Sequence, residues 1–244
     1  MTTDALLEVS DLGKRFGGFV ALEAIELTVR PGERVGLIGP NGSGKSTLVN
    51  CMCGTMRHEM GSVRFAGQNL DGLSAHERTR RGIARSFQLP RPFNTLSLAE
   101  NLRIPLLYAV NTRRGLTNHA IDERCSELLH MVGLANKATH LPRDLTQIEM
   151  RKLELARAMA AAPRLLIADE AMAGLSHTEV DDILALLIQL NEQGVTIILI
   201  EHIMRAVMHF SQRLVVLVAG RKIADGAPAE VVRDQDVVRA YLGE

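Results

Sequence analysis

Nine residues, GPNGSGKST from Gly39 to Thr47, restrict the folds open to this chain more than any other stretch. They fit the pattern G-x-x-x-x-G-K-[ST], follow the apolar run RVGLI directly, and lead into the helix-forming KSTLVNCMC. A strand that delivers a glycine-rich loop to a helix start is one unit of an α/β domain. The chemistry follows from the residue types. Glycines at 39, 42 and 44, with Pro40, Asn41 and Ser43 between them, let backbone amides converge on a β-phosphate. Lys45 brings a cation to the β and γ oxygens, and the Ser46 hydroxyl, beside Thr47, completes the coordination of Mg²⁺. ATP and Mg²⁺ are therefore the expected ligands.

The remainder of the chain agrees with an α/β reading. Runs LLEVS, FVALEAIELTV, RVGLIG, SVRFAG, LLIADE, VTIILIE and RLVVLVAG have strand character and are separated by helical stretches and turns. VGLIG, LLIA, VTIILI and LVVLV are continuously apolar, as strands covered on both faces should be. LVVLVAGRKIADG reads instead as a hairpin turning at Ala219 and Gly220. Between residues 97 and 160 the strand signal disappears. LAENLRIPLLYAV, IDERCSELLHMVGL and DLTQIEMRKLELARAMA predict an all-helical lobe inserted into the α/β core of 1–96 and 161–244, with YAVNTRRGLTNHA as its least regular loop. Thr146 and Glu149 have the T-x-x-E spacing of a capping box, which starts the last of these helices.

Composition excludes several classes. With 244 residues, 46% of them hydrophobic, the chain forms a substantial core and is not disordered. Its 28 basic residues balance 28 acidic ones, and aromatics make up only 3%, so neither a global field nor stacking platforms favour nucleic acid. The N-terminus has no basic stretch followed by an apolar core, and no apolar run approaches the roughly 20 residues of a membrane span, which predicts a cytosolic chain. Cys51, Cys53 and Cys125 are too few and too oddly spaced for a disulfide framework and read as buried thiols.

Two further strand ends carry candidate chemistry. RLLIADE closes with Asp169, suited to the metal, and Glu170, suited to orienting or deprotonating the attacking water. VTIILIEH closes with His202, whose neutral imidazole can touch the γ-phosphate or that water. Open α/β sheets bind their ligands at such strand ends.

The order of phosphate loop, SFQ, helical lobe, LELARAMAAAPRLLIADE and IEH resembles the ATP-binding subunit of ABC transporters over nearly the whole chain. That resemblance implies a P-loop NTPase core with an N-terminal antiparallel β subdomain and the inserted helical lobe. It implies that Gln88 senses Mg²⁺ and the γ-phosphate, and that Phe16, in GKRFGG, stacks on adenine. RRGIARSFQLPRPFNTLSLAENL, KLELARAMAAAP, AMAGLSHTE and VVRAYLGE resemble the ATPases of branched-chain amino acid importers, which also handle urea, amides and aromatic compounds. Similar endings occur in the lipopolysaccharide-export ATPase; ARSFQLPRPF favours the importer. The subfamily implies a peripheral protein on the cytoplasmic face of the inner membrane. Its partners would be two transmembrane permease subunits, a second ATPase that is usually a different chain but can be a second copy, and indirectly a periplasmic binding protein.

The chain departs from the family at the signature LSGGQ, where Leu145, Thr146, Gln147, Ile148 and Glu149 stand. In the family this segment grips the γ-phosphate of the partner subunit. Thr146 keeps a hydroxyl for that phosphate, but both glycines are gone, and Glu149 is expected to compete for the amides and repel the phosphate. Ser176 replaces the usual Asp or Asn after AGL, and Ala171 a frequent proline. Because each ATP lies between one phosphate loop and the other subunit's signature, a weak signature here impairs the partner's site and spares this chain's own. The competing readings are a regulatory subunit that binds nucleotide with weak hydrolysis, and a soluble ABC ATPase acting on nucleic acid.

Overall fold

The computed structural model describes residues 5–87, 90–111 and 115–242, so Gln88 lies outside the described residues. Two sheets organise the fold. The larger runs in the order β10-β9-β3-β8-β7-β6, formed by β3 (Arg34–Ile38), β6 (Ile83–Ser86), β7 (Leu165–Asp169), β8 (Thr196–Ile200), β9 (Arg213–Val218) and β10 (Arg221–Gly226). Its neighbours pair in parallel except β9 and β10, the antiparallel hairpin anticipated from LVVLVAGRKIADG. Ala219 and Gly220 turn it with φ of 46° and 78°, the double left-handed geometry that a tight hairpin requires. The smaller sheet is antiparallel, order β2-β1-β4-β5, from β1 (Leu7–Phe16), β2 (Phe19–Val29), β4 (Met60–Phe65) and β5 (Gln68–Asn69).

The period of two along each central strand divides the core between two layers. Leu165 and Ile167 of β7, with Ile198 and Ile200 of β8, pack toward the smaller sheet and helix α1 (Lys45–Cys53), among Leu7, Val9, Leu22, Leu48 and Met52. Leu166, Ala168, Ile197 and Leu199 face the other way, onto helices. Every residue of β7 and β8 is buried, which is why these strands read as unbroken apolar runs. Truncating one such side chain, Ile198 for example, removes about 2–5 kcal/mol. The three cysteines are buried and free, and burial pushes each thiol up to about 11.

The helices are α2 (Ala75–Arg81), α3 (Leu98–Pro105), α4 (Asn118–Met131), α5 (Gln147–Ala160), α6 (His177–Glu192), α7 (Met204–Phe210), α8 (Pro228–Val231) and α9 (Gln235–Leu242). None of the described helices is long and apolar enough to cross a membrane. Between Phe87 and Leu165 the described residues contain no strand, and α3, α4 and α5 share one buried cluster that includes Leu98, Leu102, Ile121, Leu128 and Leu153. Two local features differ from the sequence reading. Leu106–Asn111 is a π-helix, so Tyr108, Ala109 and Val110 belong to a helix and not to a loop. It follows Pro105, whose missing N–H removes an α-helical bond and favours a wider turn. Ile83–Ser86 is a strand, overlooked because it is only four residues long and half polar.

Candidate functional site

Register brings three strand ends together. Leu37 of β3 and Asp169 of β7 both pair with Ile200 of β8, so the chain leaves all three strands at one level. The phosphate loop, Asp169 with Glu170, and Glu201 with His202 therefore emerge side by side on the carboxyl edge of a parallel sheet, where such sheets place ligands.

The loop itself is built around backbone approach. Gly39 has φ 152°, and a Cβ there would lie 2.1 Å from Leu217 O; Gly44 has φ 103°, and its Cβ would meet Ala21 O at 2.7 Å. Only glycine fits these two positions. Gly42 by contrast looks into open space, at the mouth of the loop. Gly220 N donates to Ser43 O at 3.0 Å, fastening the loop to the hairpin turn between β9 and β10. Lys45 Nζ donates to Gly39 O (2.7 Å) and Pro40 O (3.0 Å) and lies 3.4 Å from Ser43 Oγ, curled over the cradle. Burial lowers the Lys45 pKa, opposed by the charges of Glu170 and Asp169. Gly44 is also the N-cap of α1, where no side chain accepts from the first amides and no acidic residue occupies the first turn. That helix start is left open to an anion, with Ser46 exposed and Thr47 half-buried on its first turn.

Asp169 is 6% exposed and bound to Arg85, whose Nη2 donates to Oδ2 at 2.5 Å and whose Nη1 donates to Asn50 Oδ1 at 2.7 Å. Burial of the pair is affordable only because it is matched and hydrogen-bonded. Glu170 adopts φ 48°, a left-handed conformation costing about 1 kcal/mol in a residue with a Cβ, and its amide donates to Ile200 O at 2.9 Å. His202 is exposed just beyond β8. The oxygens of Ser46 and Asp169 beside a glycine cradle suit Mg²⁺, a hard cation that takes few protein ligands beyond its phosphates.

Phe16 lies at the tip of the β1–β2 hairpin, 47% exposed, with Lys14 Nζ 5.3 Å from its ring centroid. Further along β2, Ala21 O abuts Gly44, so the strand from this tip borders the phosphate loop. Thr146 caps α5 reciprocally with Glu149: Glu149 N donates to Thr146 Oγ1 (3.4 Å) and Thr146 N to Glu149 Oε2 (2.9 Å). The sequence reading has Glu149 compete for the amides and repel the partner's phosphate; the structure shows the amide bonds and adds a counter-charge. Lys137 Nζ donates to both carboxylate oxygens, at 2.7 and 2.8 Å. The Lys137 bond and the Thr146 amide lower the Glu149 pKa. The carboxylate thus contributes stability above its usual 4.5, which is lost as pH falls through the lowered folded value. Ser176 caps α6 with Glu179, which gives this unusual residue a structural role.

Arg85, Lys137 and Glu201 were missed in the sequence. Glu201 stood in plain view within IEH, and Arg85 within ARSFQ, but their partners lie far away in the chain. Lys137 carried no signal.

A family profile described as ABC transporter matches residues 22–173, and one described as branched-chain amino acid ATP-binding cassette transporter matches residues 221–244. The chain belongs to the ABC transporter family of ATP-binding cassettes. Among its relatives, the high-affinity branched-chain amino acid transport ATP-binding protein BraF of Pseudomonas aeruginosa is 38% identical over 250 residues, 98% of each chain. LivG of Escherichia coli K12, of the same description, is 37% identical over 252 residues, again 98% of each. The ADP conformation of MJ1267, an ATP-binding cassette of an ABC transporter, superposes with a TM-score of 0.88 at 30% identity, covering 99% of this chain and 100% of that one.

Proposed function

We propose that this chain is the ATP-hydrolysing motor subunit of an ABC importer for branched-chain amino acids or related small amides. The observation that carries the reading is the alignment of three strand ends around a helix start that no side chain caps. Loop amides and Lys45 bind the phosphates, and Phe16 stacks on the adenine. Ser46 and Asp169, with Gln88, hold Mg²⁺, which when bound neutralises charge on the phosphate oxygens. Glu170 orients the attacking water and accepts its proton, while His202 contacts the γ-phosphate. The terminal profile match and the names of both relatives favour import of amino acids over lipopolysaccharide export.

The motor works in a dimer under two permease subunits, peripheral to the cytoplasmic face of the membrane. A groove lined by Phe87, Phe93, Pro105 and Tyr108, three of them exposed aromatics, suits a short apolar segment of a permease. Arg85 lines the same groove and binds Asp169, so a permease seated there lies one side chain from the metal carboxylate. The T-x-x-E box at Thr146 supports asymmetry: paired with a partner carrying a full signature, this chain retains a competent site of its own and impairs the partner's.

Purified with its co-expressed permease and ATPase partners, the complex is expected to hydrolyse ATP and to lose at least about 100-fold in kcat on Glu170→Gln. The equivalent change in the partner should cost only a minor share. Equal losses from both would remove the asymmetry, and full turnover in Glu170→Gln would remove the assignment of the site.

A further inference from the structure

Glu201 is a carboxylate with 2% exposure at the end of β8, in a position that the reaction outlined above does not use. One oxygen, Oε1, accepts from Met172 N at 2.8 Å; the other has no hydrogen-bond partner among the described residues. Burying a carboxyl with so little of its acceptor capacity used is costly, so the well-formed bond that it makes to Met172 N calls for a reason. Burial pushes its pKa up, opposed by the Met172 amide and by His202.

The reason lies two residues before Met172. Glu170 occupies a left-handed conformation that a residue with a Cβ keeps only when its surroundings impose it. Consecutive residues of one strand end impose it here. Ile200 O takes the Glu170 amide at 2.9 Å and Glu201 Oε1 takes the Met172 amide, holding the peptide units on either side of the bend. The far side of the turn is held by α5, from which Gln147 Nε2 and Arg151 Nη2 donate to Ala173 O at 3.3 and 3.1 Å. His202 follows Glu201 directly, so the same strand end sets both the Glu170 turn and the histidine.

From this geometry we infer that Glu201 is a positioning residue for hydrolysis: as a buried acceptor for the Met172 amide, it fixes Glu170 in its left-handed bend and in register with His202. The inference rests on Glu170 acting on the attacking water. A neutral acceptor of the same reach serves the purpose, whereas a shorter one does not.

The test compares Glu201→Gln, Glu201→Asp and Glu201→Ala in the assembled complex. ATPase kcat and KM are measured beside the affinity for a fluorescent ATP analogue, with Glu170→Gln as reference. Glu201→Gln should stay within about two-fold of the parent kcat, while Asp and Ala fall about ten-fold with nucleotide affinity unchanged, since small misplacements of a reacting group cost rate and not binding. Retention of kcat by Asp or Ala overturns the inference, as does a Gln variant as slow as Ala. If the Ala variant does not fold, Gln against Asp decides alone. Turnover surviving in Glu170→Gln would sink the underlying site assignment; turnover lost there but kept in Glu201→Ala and Glu201→Asp would sink this inference only.

Discussion

Two helix starts in this chain solve the same problem in opposite ways. Each has backbone amides without intrahelical partners. At α5, Thr146 and Glu149 occupy two amides, and Lys137 neutralises the carboxylate that does so. At α1 the cap is Gly44, its backbone left-handed, with neither a side-chain acceptor nor an acidic residue nearby in the turn. The boxes at Ser97 before α3 and Ser176 before α6 follow the α5 solution, whereas α7, which starts after Ile203, is uncapped as α1 is but carries no glycine loop before it. A helix start closed by its own side chains gains local stability; one left open loses that stability and retains its affinity for an anion. The two helix starts that the proposed function sets against phosphate are thus, in this chain, one open terminus and one closed terminus.

Substitutions at the open terminus should have the largest effect. Gly44→Ala would place a Cβ 2.7 Å from Ala21 O at φ 103°, and should remove about 3 kcal/mol, roughly 6–12 °C in Tm, along with ATP binding. Gly42→Ala, with open space around it, should cost only about 1 kcal/mol. Thermal melts of the pair check this, and equal losses would show that the backbone approach to β2 does not set the loop.

At the closed terminus the expected effects are smaller. Lys137→Met should strip the counter-charge from Glu149 and weaken ATP binding at the partner's phosphate loop by about 1.5- to 5-fold, the range of a partly exposed ion pair of about 0.2–1 kcal/mol, with total turnover of the complex nearly unchanged. Adding Glu149→Gln to that variant should restore the affinity. A double mutant that binds no tighter than Lys137→Met would mean that the lysine acts on something other than Glu149.

Much of this contrast was legible beforehand, because both termini are written in local sequence. The phosphate loop needs glycines at fixed offsets, the capping box needs threonine and glutamate three apart, and the central strands need apolar residues on both faces. What could not be read depends on distant pairing. Lys137 meets Glu149 across twelve residues, and Arg85 meets Asp169 across eighty-four, through a register that no local pattern encodes. The bend at Glu170 was hidden for the same reason: nothing in ADEA signals a left-handed glutamate, and the acceptors Ile200 and Glu201 that hold it come from another strand. The π-helix after Pro105 and the short strand Ile83–Ser86 were lost to weak or mixed periodicity.

Amide hydrogen exchange of this chain within the assembled complex, with and without Mg-ATP, tests the difference between the two termini most directly. The account predicts that ATP slows exchange in peptides spanning 38–50, where the amides are free to receive phosphate, and leaves peptides spanning 143–153 unchanged because those amides are already held by Thr146 and Glu149. Protection of 143–153, or its absence at 38–50, would contradict it.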